Sequence, residues 1–98
     1  MLKQELINGI KEYISKNGGS YPGWYVGITS NPESRIFNDH NVTKQGGAWV
    51  HGAALSSQAA REIEEYFINV LGTDGGSGGG DFTSATVYAY KKTIYTKQ

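Results

Sequence analysis

The stretch WYVGITSNPESRIFNDHNV, residues 24–42, sets Tyr25, Arg35 and His40 within one strand-turn-helix unit. Arg35 is one of two arginines in 98 residues and His40 one of two histidines. Neither type is needed to build a core. A guanidinium has a planar fork that can hold two oxygens of one phosphate. An imidazole titrates nearest to neutral pH of any side chain and can accept a proton there. A phenol stands beside them at Tyr25, so the segment presents a cation, a proton acceptor and a hydroxyl to an anionic group.

The surrounding pattern says how these residues are carried. In GWYVGIT, Trp24, Val26 and Ile28 alternate with Tyr25, Gly27 and Thr29, and the aromatic and β-branched content favours a strand. Tyr25 therefore leaves the sheet on the side away from Trp24. SNPE then opens a short helix over roughly 32–40: Ser30 or Asn31 can cap it, Pro32 suits its first turn, and Glu33 stands at capping-box distance from Ser30. Upstream, Leu2, Leu6, Ile10, Tyr13 and Ile14 recur at helical spacing over 2–16, and NGG stops that helix.

Downstream, AWVHGAAL reads as a second strand weakened by Gly52, and Ser57 caps a third helix, QAAREIEEYFINVL, that ends at Gly72. Ala60, Ile63, Phe67, Val70 and Leu71 form its apolar arc, with Glu64 at the edge of the arc and Glu65 pointing away. Six glycines among residues 72–80 read as a flexible loop, and this run lacks the Lys-Ser/Thr of a phosphate loop. TSATVYAYKKTIYT closes the chain as a strand with Tyr88 and Tyr90 on one face. The expected class is α+β, one domain over 1–98, with a small three-stranded sheet packed with about three helices.

On these residues the chain resembles the GIY-YIG nuclease domain. YVGITSNPESRIFNDH is similar to the second half of that family's signature, with Arg35 eight residues after Gly27, and AREIEEYFI is similar to its Ala-rich, metal-binding helix with Glu64 in the metal position. The first Gly-Ile-Tyr strand is missing, because residues 2–16 read as a helix. TVYAYKKT looks like a strand that takes its place, as in a circular permutation, with Tyr88 as the lost tyrosine.

The resemblance implies a divalent-metal-dependent nuclease that hydrolyses DNA phosphodiester bonds. Catalytic roles fall to Tyr25, Arg35, Tyr88 and, more loosely, His40; Glu64 would hold Mg²⁺ or Mn²⁺, and Gly27 and Thr29 would line the substrate. Such a reaction needs positive charge on the developing oxygens, a base for water, and a metal or proton for the leaving oxygen. A hard carboxylate oxygen suits a Mg²⁺ that keeps most of its waters.

Composition limits the partners. Nine Lys+Arg balance nine Asp+Glu, so DNA binding is expected to be local and weak. No cysteine means no disulfide scaffold and no thiolate zinc site, and no HxxxH pattern suggests a transition metal. No apolar run is long enough for a membrane span and no signal-peptide block opens the sequence, so a cytoplasmic protein is expected. The alternative to an enzyme is a non-catalytic binding module that presents Trp24, Trp49 and tyrosines to a protein partner or to unstacked bases. A third reading, a self-associating domain, requires an exposed apolar patch around the tryptophans.

Overall fold

The computed structural model describes residues 2–76 and 83–98. Helix α1 spans Lys3–Lys16, and the Glu5 carboxylate accepts from the Leu2 N–H at its start. Its buried side is Leu6, Ile7, Ile10 and Ile14, whereas Leu2, read as part of that stripe, is exposed. A single turn at Tyr21–Gly23 leads into strand β1, Trp24–Thr29. Strand β2 is Trp49–Ala53, helix α2 is Ser57–Tyr66, and strand β3 is Thr86–Lys91.

The three strands form one antiparallel sheet in the order β1-β3-β2. The last strand in sequence is thus central and pairs with β1, the neighbour expected for residues 86–92. Register sets Tyr25 opposite Tyr90, and Gly27 opposite Tyr88. On the other side of β3, Trp49 faces Tyr90 and His51 faces Tyr88. Side chains alternate across a pleated sheet, so the register divides the residues into two layers. Trp24, Val26, Ile28, Val87 and Ala89 pack with Leu6, Ile10 and Ile14 of α1 and Ala60, Ile63 and Phe67 in and after α2. The opposite face carries Tyr25, Tyr88 and Tyr90 beneath Ile36 and Val42.

Several local expectations are corrected. Trp24 is fully buried in the α1/α2 core and cannot be presented to a partner. Ser56, in extended backbone, caps α2 by accepting from the Ala59 N–H, in place of Ser57, which is already helical. Asn31 accepts from the Ser34 N–H at the start of the short helix, the role expected of Ser30 or Asn31. That helix, Ser34–Asp39, is wound as a π turn closed by a bond from the His40 N–H to the Arg35 carbonyl.

Helix α2 continues as a second π turn, Phe67–Leu71, and ends at Gly72 with φ 91°, a left-handed conformation that favours glycine. The chain then runs along the outer edge of β1. The Val26 N–H donates to the Asp74 carbonyl and the Asp74 N–H to the Trp24 carbonyl, so this part of the edge is covered. The latter part of the glycine-rich stretch falls in residues 77–82, which lie outside the described residues. Among the described residues no helix is long and apolar enough to cross a membrane.

Candidate active site

Alternation along β1 and β3 sends Tyr25, Tyr88 and Tyr90 to the face opposite the main core, and the Ser34–Asp39 turn lays Arg35 and His40 over them. The rings form one cluster: Tyr25 stacks on Tyr90 with centroids 5.2 Å apart, and His40 lies 4.7 Å from Tyr25. Gly27 is what lets Tyr88 lie flat across β1, because a Cβ at position 27 would overlap the Tyr88 hydroxyl and ring. Gly27→Ala is therefore expected to destabilise the fold by about 1–3 kcal/mol, the usual cost of overpacking. Urea unfolding measures it. An unchanged midpoint would mean that the ring has room elsewhere.

Hydrogen bonds fix the proton positions. His40 Nδ1 is 2.6 Å from the Lys97 carbonyl oxygen, which can only accept, so Nδ1 carries the proton. In the neutral ring Nε2 then accepts, and the Tyr88 hydroxyl donates to it at 2.7 Å. Arg35 Nε–H donates to the same Tyr88 oxygen at 3.4 Å, and Arg35 Nη1–H donates to Asp39 Oδ2 at 3.2 Å. Tyr90 completes the network by donating to the Lys97 carbonyl at 3.3 Å, with its oxygen 3.0 Å from Nδ1. The result is a continuous chain, Arg35 to Tyr88 to His40 to the backbone of the C-terminal segment.

The electrostatics favour the neutral forms of the imidazole and phenols behind Arg35. Burial lowers the His40 pKa, the hydrogen bond to the Lys97 carbonyl opposes that shift, and the Arg35 charge adds to it. Burial pushes the Tyr88 phenol up to about 12 despite the Arg35 hydrogen bond. Tyr25 is also raised, by burial first, against the pull of Arg35 and a hydrogen bond with the Gly76 backbone. Phenolate is thus disfavoured at both tyrosines.

Glu64 occupies the edge of the site. The arc placed it at the border between sheet and water, and the structure buries it to 6% exposure, with Oε2 lacking any hydrogen-bond partner among the described residues. Burial raises its carboxyl to about 7, against the attraction of Arg61. Glu64 and Gly76 line the same cavity of about 240 Å³, and Gly76 also meets the Tyr25 hydroxyl. The Glu64 charge reaches both Tyr25 and Tyr88, raising their pKa values. Among the described residues no group of three His, Asp or Glu side chains is gathered as for a metal.

A separate cleft of about 240 Å³ opens beside Arg35, lined by Thr29, Ser30, Asn31, Ser34 and Asp39. Arg35 forms its cationic wall, with 39% of its side chain exposed. Thr29 shapes the turn, its hydroxyl accepting from the Asn31 N–H. Tyr25, Arg35, His40 and Tyr88 are brought together, Glu64 approaches from the β1 edge, Thr29 lines the cleft, and Gly27 acts under Tyr88.

No protein-family model, curated protein or solved structure matches this chain. The site must be read from its own chemistry. Sequence reasoning missed three participants. Tyr90 had a signal, since it shares a face with Tyr88 two residues away. Asp39 stands one helical turn after Arg35, a spacing that pairs opposite charges. The Lys97 carbonyl had no signal, because a backbone atom leaves no mark in residue type.

Proposed function

We propose that the chain is a small GIY-YIG-like, divalent-metal-dependent nuclease that hydrolyses DNA phosphodiester bonds, with β3 in the place of the family's first strand. The observation that carries this reading is the hydrogen-bonded run from Arg35 through Tyr88 to His40, which opens at Arg35 onto a polar cleft. A guanidinium at the mouth and a proton acceptor behind a phenol are two of the three functions that water attack on a phosphodiester requires.

The resting arrangement suggests how the residues act. When Arg35 leaves Asp39 to place its fork on the phosphate oxygens, its Nε–H also leaves the Tyr88 oxygen. A lone pair of that oxygen is then free to take a proton from the attacking water. In the same event Tyr88 passes its own proton to His40 Nε2, so no buried phenolate forms. The Lys97 carbonyl, already bonded to Nδ1–H, stabilises the imidazolium that results.

Glu64 fits a divalent cation in one respect: a buried carboxylate oxygen without a partner is a hard ligand in want of a cation or a proton. A bound Mg²⁺ or Mn²⁺ would neutralise charge on the leaving oxygen. Zero net charge makes DNA binding weak and dependent on these local contacts.

The test is nicking of supercoiled DNA in Mg²⁺ or Mn²⁺. Cleavage that a chelator abolishes, and that Tyr88→Phe lowers about a hundredfold or more, is the expected result. Wild-type rates in a folded Tyr88→Phe protein would overturn the proton relay. No cleavage under any metal would favour the binding-module reading, for which the closed Arg35–Asp39 pair over a buried Tyr88 is the supporting observation.

A further inference from the structure

The face that carries Tyr88 continues outward onto β2, where Trp49 and His51 stand across from Tyr90 and Tyr88. We propose that Trp49 and His51, flanked by Phe37 and Lys44, form a shelf for one unpaired nucleobase of the strand whose phosphate lies against Arg35. The inference rests on the reading of Arg35 as the phosphate-binding group.

Four observations support the shelf. The indole and imidazole are nearly parallel, 14° apart with centroids separated by 6.0 Å, and His51 is exposed while Trp49 is half-buried. Trp49 is held in place before any ligand arrives. Its Nε1–H donates to the Lys44 carbonyl at 3.1 Å, its backbone N–H donates to the Tyr13 hydroxyl at 3.0 Å, and the Phe37 ring meets it edge-on at 5.0 Å. A ring fixed in this way loses little freedom when a base stacks on it.

The spacing fits a nucleotide. Directly opposed residues on one sheet face have Cβ atoms about 5 Å apart. His51 is one strand away from Tyr88, and Phe37, two residues after Arg35 on the same turn, meets Trp49 edge-on. A base attached to a phosphate at Arg35 would extend past Phe37 toward β2, because the face of β1 is closed by His40 and Ile36.

Charge marks the occupant as nucleic acid and not an apolar peptide. Two cations stand near the shelf: Arg35 is carried on the same turn as Phe37, and the Lys44 Nζ lies 5.5 Å from the Phe37 ring centre. Asp39, paired with Arg35, must release its partner. Stacking on an aromatic ring tolerates any base but requires that the base be unpaired, so the site selects frayed, looped or single-stranded DNA.

Binding is measured without cleavage, by fluorescence anisotropy of a labelled short single-stranded oligodeoxynucleotide and of its blunt duplex, both in a chelator. Wild-type protein is expected to prefer the single strand. Trp49→Ala should weaken single-strand binding about ten- to a hundredfold and leave duplex binding unchanged. Trp49→Phe, which keeps a ring and guards against a folding artefact, should recover most of the loss. Arg35→Ala should weaken both probes.

The outcomes separate the two readings. Unchanged single-strand affinity in Trp49→Ala, with loss in Arg35→Ala, overturns the shelf and leaves the phosphate site standing. Loss in Trp49→Ala with none in Arg35→Ala overturns the link to Arg35. Equal weakening of both probes by Trp49→Ala, or no binding of either probe by the wild-type protein, overturns the proposal as well.

Discussion

Arg35→Ala is expected to lower metal-dependent DNA cleavage about 10²–10³-fold, the usual cost of removing a dominant contact to developing charge. Arg35 is the cation that lines the cleft, and in the proposed mechanism its guanidinium moves off the Tyr88 oxygen before water attacks. The fold should tolerate the change. The side chain is 39% exposed, its partner Asp39 is 53% exposed, and such surface pairs contribute about 1 kcal/mol or less. Tyr88 retains its bond to His40. Arg35→Lys should rescue little, because an ammonium lacks the planar fork. Single-turnover cleavage rates, read beside unfolding midpoints, decide it; a variant within a few-fold of wild type removes Arg35 from the chemistry.

The second large effect concerns Glu64, whose carboxyl is pushed up to about 7 by burial from a reference value of 4.5. Between those values the folded protein holds a proton that the unfolded chain has released. The stability from this group is fully present below pH 4.5 and is lost as pH rises to about 7, a total of about 3 kcal/mol. Glu64→Gln removes the ionisation. In a chelator the variant should match wild type near pH 4.5 and exceed its stability by about 3 kcal/mol above pH 7.

His40 works in the opposite sense. Its lowered pKa costs stability as pH falls below 6.5, and comparing the two proteins at each pH cancels that term. Adding Mg²⁺ at pH 8 should restore stability to the wild type and do nothing for Glu64→Gln, since a ligand stabilises only the form that binds it. Urea unfolding across pH, with and without metal, measures both parts. Equal gains from Mg²⁺ in the two proteins would remove Glu64 as its ligand.

The two layers of the sheet were legible in the sequence because alternation is strict in β1 and β3. Trp24 and Tyr25 go to opposite sides for that reason alone, and Tyr88 and Tyr90 share a face. What alternation does not say is which side is closed. Trp24 was a candidate for display, yet helices α1 and α2 cover its face completely. Adjacent serines made the α2 cap ambiguous, and only the extended backbone at Ser56 resolves it.

The extra residue in the Ser34–Asp39 turn was also unreadable, since residue preferences do not separate a π turn from an α turn. Cys-free, charge-balanced composition bounded the partners without naming one. The tie between His40 and Lys97, which sets the imidazole tautomer, is a long-range backbone contact that only the folded chain reveals.

A central strand that comes last in the sequence also governs how the domain assembles. Neither β1 nor β2 has a partner strand until β3 arrives, and no two consecutive strands form a hairpin. Sheet formation must therefore await closure of the longest loops in the chain, which raises contact order and slows folding relative to a local meander. Until then both strands carry open backbone edges that can pair with another chain. The strand that supplies Tyr88 and Tyr90 is also the one whose arrival closes the facing edges of β1 and β2, so the site and that part of the protection against misassembly form in the same late step.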